Sequence, residues 1–437
     1  MIQNLLNSLD KATCNFCAVA EIERRLKEDG YKELLPREKW DVKPAERFYV
    51  KKNSTSIFAF TVGTTMKDAT GFRIIAAHSD SPCFKLKPNP EIYGPDGIVS
   101  LNVEKYGGGI LSTWFDRPLS LAGRVLVKTD NPFSPDEHVF DLRRPVATIP
   151  NLAIHFNREV NSGYAISVQR DMKPVIGRFS PEEIQDAKEH GGIVNRLIAS
   201  HIGVAPNDII GSEIVVYPIE QPTVLGVNKE YFQSGRIDDL SMAFTALEAF
   251  LNSGRECPEP PYTRILAIFD NEETGSSTKQ GAHSPFLKNM MQRISMNVCE
   301  GDHENFNRNL HAGFLISADD AHAFNPNYPE KYDPVVRPYI GGGPVVKINA
   351  NSKYMTDGHS EAVFRGLCEK AGVKCQYFVN HGDVAGGSTL GNILTSQLEM
   401  AGVDMGCAIW AMHSAAETAG ISDHEDTEKV FRKFYTC

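Results

Sequence analysis

Ile265-Leu266-Ala267-Ile268-Phe269 runs without a break into Asp270-Asn271-Glu272-Glu273. Five consecutive apolar residues bounded in this way read as a strand buried on both faces, as in the middle of an α/β sheet. Four polar residues directly behind such a run are costly unless paired or solvated. The pattern recurs, with Phe72–Ala77 leading into His78-Ser79-Asp80, Phe314–Ala318 into Asp319, and Ala408–Met412 into His413. Residues just past the C-terminal ends of central strands converge on the crevice where open α/β sheets bind ligands. Two His, several Asp and a Glu pair at four such points predict a dinuclear metal site.

Each point has its own chemistry. Adjacent Glu272 and Glu273 in an irregular turn can face one site from different angles, so that one binds metal while the other takes a proton from the attacking water. In an extended segment residues i and i+2 point the same way, which lets Asp80 orient the second ring nitrogen of a metal-bound His78. Gly235-Arg236-Ile237-Asp238-Asp239 precedes the amphipathic helical pattern Leu240, Ala243, Phe244, Leu247, Phe250, Leu251. The Asp pair there suits helix capping or, for Asp238, a carboxylate bridging two metals. Asp319 and His413 fill the same architectural slot as His78. Nitrogen and oxygen donors without Cys suit two divalent ions in an open catalytic site, zinc first, with manganese or cobalt as substitutes.

Working outward, 437 residues exceed one ordinary core and predict two domains, or one α/β domain carrying an insertion. Residues 88–228 are rich in Pro, Gly and short β-type segments such as Gly123–Lys128 and Glu213–Tyr217, with one helix opening near Ser180-Pro181 and ending by Gly191. They read as a β-rich domain inserted into an α/β domain formed by 1–87 and 229–437. A net charge of -10, from 55 acidic and 45 basic residues, argues against a nucleic-acid partner. No apolar window is long enough for a membrane span. No secretory signal pattern is evident, and nine scattered Cys fit a reducing cytoplasm. The one CxxC, Cys14 and Cys17, sits at the start of a helical pattern and reads as buried helix residues.

Taken together and in order, these motifs resemble the aspartyl aminopeptidase family of di-zinc exopeptidases. The resemblance runs through His-Ser-Asp-Ser-Pro-Cys (78–83), Asn-Leu-Ala-Ile-His-Phe-Asn-Arg (151–158), Gly-Arg-Ile-Asp (235–238) and Asp-Asn-Glu-Glu-Thr-Gly-Ser (270–276). It continues in Ser-Ala-Asp-Asp-Ala-His-Ala (317–323), Gly-Pro-Val-Val-Lys-Ile-Asn (343–349), Gly-Gly-Ser-Thr-Leu-Gly (386–391) and Met-His-Ser (412–414). It implies that Asp238 is shared by both metals, with His78 and Asp319 completing one and Glu273 and His413 the other. Glu272 would be general base and then general acid, and Asp80 the carboxylate orienting His78. The substrate would be a peptide with a free N-terminus. The insertion would be a dimerisation domain, dimers would assemble into a tetrahedral dodecamer, and His155 would reach a neighbouring subunit's site to stabilise an oxyanion. Read without the family, His155 is a structural residue on a strand-like segment.

The resemblance also makes Lys347 the selector of acidic side chains, with His322, Tyr354 and the loop carrying Ser388 and Thr389 lining the pocket. On composition alone Lys347 would be a strand-end lysine reaching solvent. Two departures bear on this preference. Asp320 adds a carboxylate beside Asp319, and His381-Gly382 stand where polar residues are usual before Asp383. Related enzymes also imply a cis peptide between Asp238 and Asp239. The alternatives are a neutral, leucine-type aminopeptidase on the same scaffold, a two-metal phosphoesterase, for which no phosphate cradle stands out, and a non-catalytic assembly protein.

Overall fold

A computed structural model describes all residues, 1–437. The chain forms two compact units. One comprises Met1–Asp80, Pro222–Met412 and Glu417–Cys437, and the other Ser81–Gln221 with His413–Ala416. The first takes in Pro222 onward because Thr223–Leu225 pairs with Tyr231–Ser234. The second starts just ahead of its first strand, Cys83–Tyr93. Both edges therefore fall slightly earlier than 88 and 229.

The first unit is mixed α/β, built on a nine-stranded sheet. Its centre is four parallel strands in the order Thr263–Phe269, Phe72–His78, Phe314–Ala318, Ala401–Gly406. Antiparallel strands flank them, Ser56–Thr61 on one side and Val345–Lys347 on the other. The pleat sends alternate residues to opposite faces. Thus Ile75, Ala77, Leu266, Ile268, Ile316, Val403 and Met405 enter one core with the helices Ile237–Glu256, Gly358–Ala371 and Ile421–Thr436. Phe72, Ile74, Ala76, Ile265, Ala267, Phe269 and Leu315 enter the other core with Phe286–Val298 and His303–His311. Burial on both faces is why these strands appear in sequence as continuous apolar runs.

Two expectations need correction. The fourth central strand is Ala401–Gly406, whereas Ala408–Trp410 belongs to a separate five-stranded sheet, pairing with Glu417–Gly420 and Ala321–His322. The chain changes sheet at Gly406-Cys407, where a Cβ on Gly406 would lie 1.9 Å from the Asp319 carbonyl oxygen. The Ile237–Glu256 helix is also buried nearly all round, Ser241, Thr245 and Ser253 included, rather than along one apolar face. Its polar positions are small enough to pack in the same core as the aliphatic stripe.

The second unit is a six-stranded antiparallel sheet ordered Asp136–Asp141, Leu119–Val127, Ile209–Pro218, Cys83–Tyr93, Ile98–Tyr106, Val175–Arg178. Phe84, Leu101, Trp114, Leu121, Val125, Phe140, Ile198 and Val216 form its core. The predicted helix is Pro181–Glu189, opened by a capping box between Ser180 and Glu183.

Candidate metal centre

Strand register brings the chemistry to one edge of the central sheet in the first unit. His78 pairs with Phe269, and Ala318 with Met405, so Asp80, Asp270–Glu273 and Asp319 all emerge beyond the same strand ends. The peptide bond between Asp238 and Asp239 is cis. Neither Asp caps the helix through its side chain. Instead Ile237 N and Asp238 N donate to Glu417 Oε2, at 2.6 and 3.2 Å. Asp239 Oδ2 accepts from His78 N at 3.0 Å, tying the helix start to the strand end.

His78 Nε2 lies 3.6 Å from Asp238 Oδ1 and 3.9 Å from Glu272 Oε2. Its Nδ1 lies 3.0 Å from the Asp80 carbonyl oxygen and 3.4 Å from the Asp80 carboxylate. A carbonyl only accepts, so Nδ1–H donates and the Nε2 lone pair faces the acidic cluster. The Asp80 carboxylate accepts from Glu272 N (3.1 Å) and Glu273 N (3.2 Å). Asp80 thus orients His78 partly through its main chain, while its side chain fixes the Glu-Glu turn. Asn271, at φ 63°, makes that turn possible. Asp270 is satisfied by Asn15 Nδ2 at 3.0 Å and Asn271 N at 2.8 Å.

One ligand atom each from His78, Asp238 and Asp319 falls within 4.8 Å of the others, as does one each from His78, Glu272 and Glu273. Electrostatics favour a cation here. Burial, with Asp319, Asp238 and Asp80 nearby, pushes Glu272 up to about 8 despite the opposing pull of His78. Burial likewise raises Asp319, with Asp238 adding to it and Lys347 and His78 opposing. Asp239 is raised well above the carboxylate range by burial and by its acidic neighbours, and its Oδ1 has no hydrogen-bond partner. Crowded, desolvated carboxylates stay ionised only beside positive charge. An all nitrogen-and-oxygen donor set answering that demand fits zinc.

Lys347 is 3% exposed, so it does not reach solvent. Its Nζ lies 3.3 Å from Asp319 Oδ1 and 5.7 Å from the centre of the Tyr354 ring. Burial works against its charge, but Asp319, Tyr354 and Asp404 outweigh it and keep the ammonium protonated. Tyr354 is buried, and Thr389 Oγ1 donates to Asp404 at 2.5 Å. Ser388 and His322 are exposed, the latter stacked edge-on to Phe378 at 5.7 Å. His155 is exposed on an irregular segment of the second unit. His413 also packs in the second unit, where its Nδ1 is 3.2 Å from the Gly108 carbonyl oxygen.

Sequence reasoning gave no site role to Glu417, Asp239 or Asp404. The last carried a usable signal, since a lone carboxylate inside Ala401–Gly406 costs too much without partners. Its Oδ2 accepts from Met355 N at 2.6 Å. Asp239 was legible only as half of a doublet, and Glu417 only as an acid four residues beyond His413.

Residues 8–435 match the family described as aminopeptidase I zinc metalloprotease (M18). A probable M18 family aminopeptidase 2 of Clostridium acetobutylicum is 42% identical over 433 residues, covering 99% of this chain and 98% of its own length. Among solved structures, the M18-family aminopeptidase of Thermotoga maritima matches with a TM-score of 0.84 at 27% identity, covering 99% of this chain and 95% of that one. The S. cerevisiae mApe1 dodecamer matches with a TM-score of 0.87 at 25% identity, covering 99% and 95%. No helix is long and apolar enough to cross a membrane.

Proposed function

Since this chain belongs to the aminopeptidase I zinc metalloprotease (M18) family, and so is a zinc metallo-aminopeptidase, we propose that it removes acidic N-terminal residues from peptides with two metal ions per subunit. The observation that carries the reading is the gathering of His78, Asp238, Asp319, Glu272 and Glu273 beside a buried, charged Lys347. Zinc bound among these carboxylates would offset their mutual repulsion, acidify water enough for deprotonation at neutral pH and polarise the scissile carbonyl.

His78, Asp238 and Asp319 would hold one ion, and Asp238, Glu273 and, on family resemblance, His413 would hold the other. Manganese or cobalt can substitute. Glu272 takes the proton from the attacking water and returns it to the leaving amine. Asp80 keeps Glu272 and Glu273 in place through their backbone amides and keeps the His78 lone pair turned inward. The Lys347 ammonium attracts the side-chain carboxylate of an N-terminal Asp or Glu, with Tyr354, His322, Ser388 and Thr389 around it. His155, from the inserted domain of a neighbouring subunit, stabilises the developing oxyanion. Residues 88–228 serve dimerisation, and dimers build a tetrahedral dodecamer, in line with the dodecameric relative. The site of action is the cytoplasm.

The existing Lys347–Asp319 contact also suits a neutral aminopeptidase, in which Lys347 only balances a ligand's charge. Initial rates on matched Asp-, Glu-, Leu- and Ala-initiated peptides, with and without chelator, separate the two. Chelator-sensitive release of Asp or Glu ahead of Leu, reversed in Lys347→Ala, is the expected result. Leu preference in the unaltered enzyme removes the acidic reading and leaves the aminopeptidase.

A further inference from the structure

Away from the proposed pair of ions, three element ends bring Asp320, Cys407 and His424 together in the first unit. Asp320 follows the Phe314–Ala318 strand, Cys407 follows Ala401–Gly406, and His424 lies in the first turn of the Ile421–Thr436 helix. Gly406 lets the backbones close up, since a Cβ there would stand 2.8 Å from Asp320 Cα. Ala321 N then donates to the Cys407 carbonyl oxygen at 2.7 Å. Asp320 is 1% exposed, and Cys407 and His424 are 0% exposed.

Hydrogen bonding selects which atom Asp320 and His424 offer, while Cys407 Sγ lies 3.3 Å from Thr427 Oγ1. Asp320 Oδ2 accepts from Ser241 Oγ at 2.8 Å, while its Oδ1 has no partner. His424 Nδ1 lies 2.9 Å from the Gly420 carbonyl oxygen, so Nδ1 carries the hydrogen and donates it. Nε2 therefore presents a bare lone pair, fully buried and without a partner. Fixing one ring nitrogen on a carbonyl so that the other can ligate is the usual support of a metal-binding His. One ligand atom from each of the three residues lies within 4.8 Å of the other two.

The geometry points to a third metal site, formed by Asp320 Oδ1, Cys407 Sγ and His424 Nε2 and taking one zinc-like divalent cation. Nitrogen, oxygen and sulfur donors together suit a borderline-soft ion rather than calcium or magnesium. A carboxylate and a thiolate would balance its two positive charges, with the Cys407 proton released to solvent on binding. Nε2 accepts no hydrogen bond from the other two members of the cluster. With no solvent-exposed member, such an ion would be structural, clamping the junction of the two sheets to the C-terminal helix.

Sulfur gives the site a signature that the His-and-carboxylate centre lacks. Cobalt(II) loaded into the full-length protein should give a near-ultraviolet sulfur-to-cobalt charge-transfer band. Zinc-loaded protein should show a zinc–sulfur scatterer at about 2.3 Å by X-ray absorption. Cys407→Ser should abolish the band and lower the metal content by one ion per subunit, and His424→Gln should weaken retention in dialysis. Absence of the band from folded, cobalt-loaded unaltered protein overturns the site, whether or not Cys407→Ser can be made. A band that survives Cys407→Ser belongs to another cysteine and overturns it equally. Loss of peptidase activity without loss of the band would count against the catalytic reading alone.

Discussion

Glu272 and Lys347 carry most of the proposed chemistry, and for both the surroundings matter more than the side-chain type. Glu272 is held above the ordinary carboxylate range by burial and acidic neighbours, yet its backbone is anchored by Asp80. Glu272→Gln keeps that anchor and removes only the proton acceptor. It should lower kcat about 10³-fold or more while both ions remain; loss of metal instead would mean that Glu272 is a ligand. Cys375 offers a pH test away from the site. The hydrogen bond with Cys368 lowers Cys375 to about 7, whereas that contact and burial raise Cys368. The thiolate is the reactive form, so alkylation of Cys375 should rise through about pH 7 and level off above it. Mass spectrometry against exposed Cys437 reads this directly, and equal labelling of the two at pH 7 would contradict it.

Among elements, the close crossing at Gly406 holds the Ala401–Gly406 strand against the segment bearing Asp319 and Asp320. A methyl group there meets backbone atoms at 1.9 and 2.8 Å, which no rotamer change relieves. Gly406→Ala should cost about 3 kcal/mol or more and loosen metal retention. Gly366, inside the Gly358–Ala371 helix, has nothing within 4 Å of such a methyl. Gly366→Ala should stabilise by about 0.5–1 kcal/mol. Calorimetric melting of the two variants should move in opposite directions, and a fall for both would show the helix position to be less open than its surroundings suggest. The Ile237–Glu256 helix follows the same logic of approach, because its small polar residues Ser241, Thr245 and Ser253 let it be buried all round.

For the whole molecule, the decisive prediction concerns His155, exposed and distant in chain order from the other proposed site residues. His155→Ala and Glu272→Gln should each be nearly inactive alone. Denatured, mixed and reassembled together, they should regain activity, because a subunit with intact Glu272 can meet a partner with intact His155. No recovery in correctly sized mixed oligomers would place His155 outside the chemistry. Size-exclusion chromatography with light scattering, run on each preparation, separates this outcome from failed assembly.

The sequence by itself determined the central strands and most of the candidate ligands. A strand buried on both faces must be continuously apolar, so Phe72–Ala77, Ile265–Phe269 and Phe314–Ala318 declared themselves, and the polar groups behind them marked the candidate site. Ordered motifs added His155 and Lys347, which no local pattern would have singled out. Only the tertiary structure decided that Ala408–Trp410 leaves the main sheet, that Glu417 rather than a helix cap holds the Asp238 backbone, and that Lys347 touches Asp319. It alone brought Asp320, Cys407 and His424 into one cluster. The physical reason is range: strand burial and turn chemistry are set by neighbours in sequence, whereas hydrogen bonds and ion pairs between distant segments exist only once the backbones have packed.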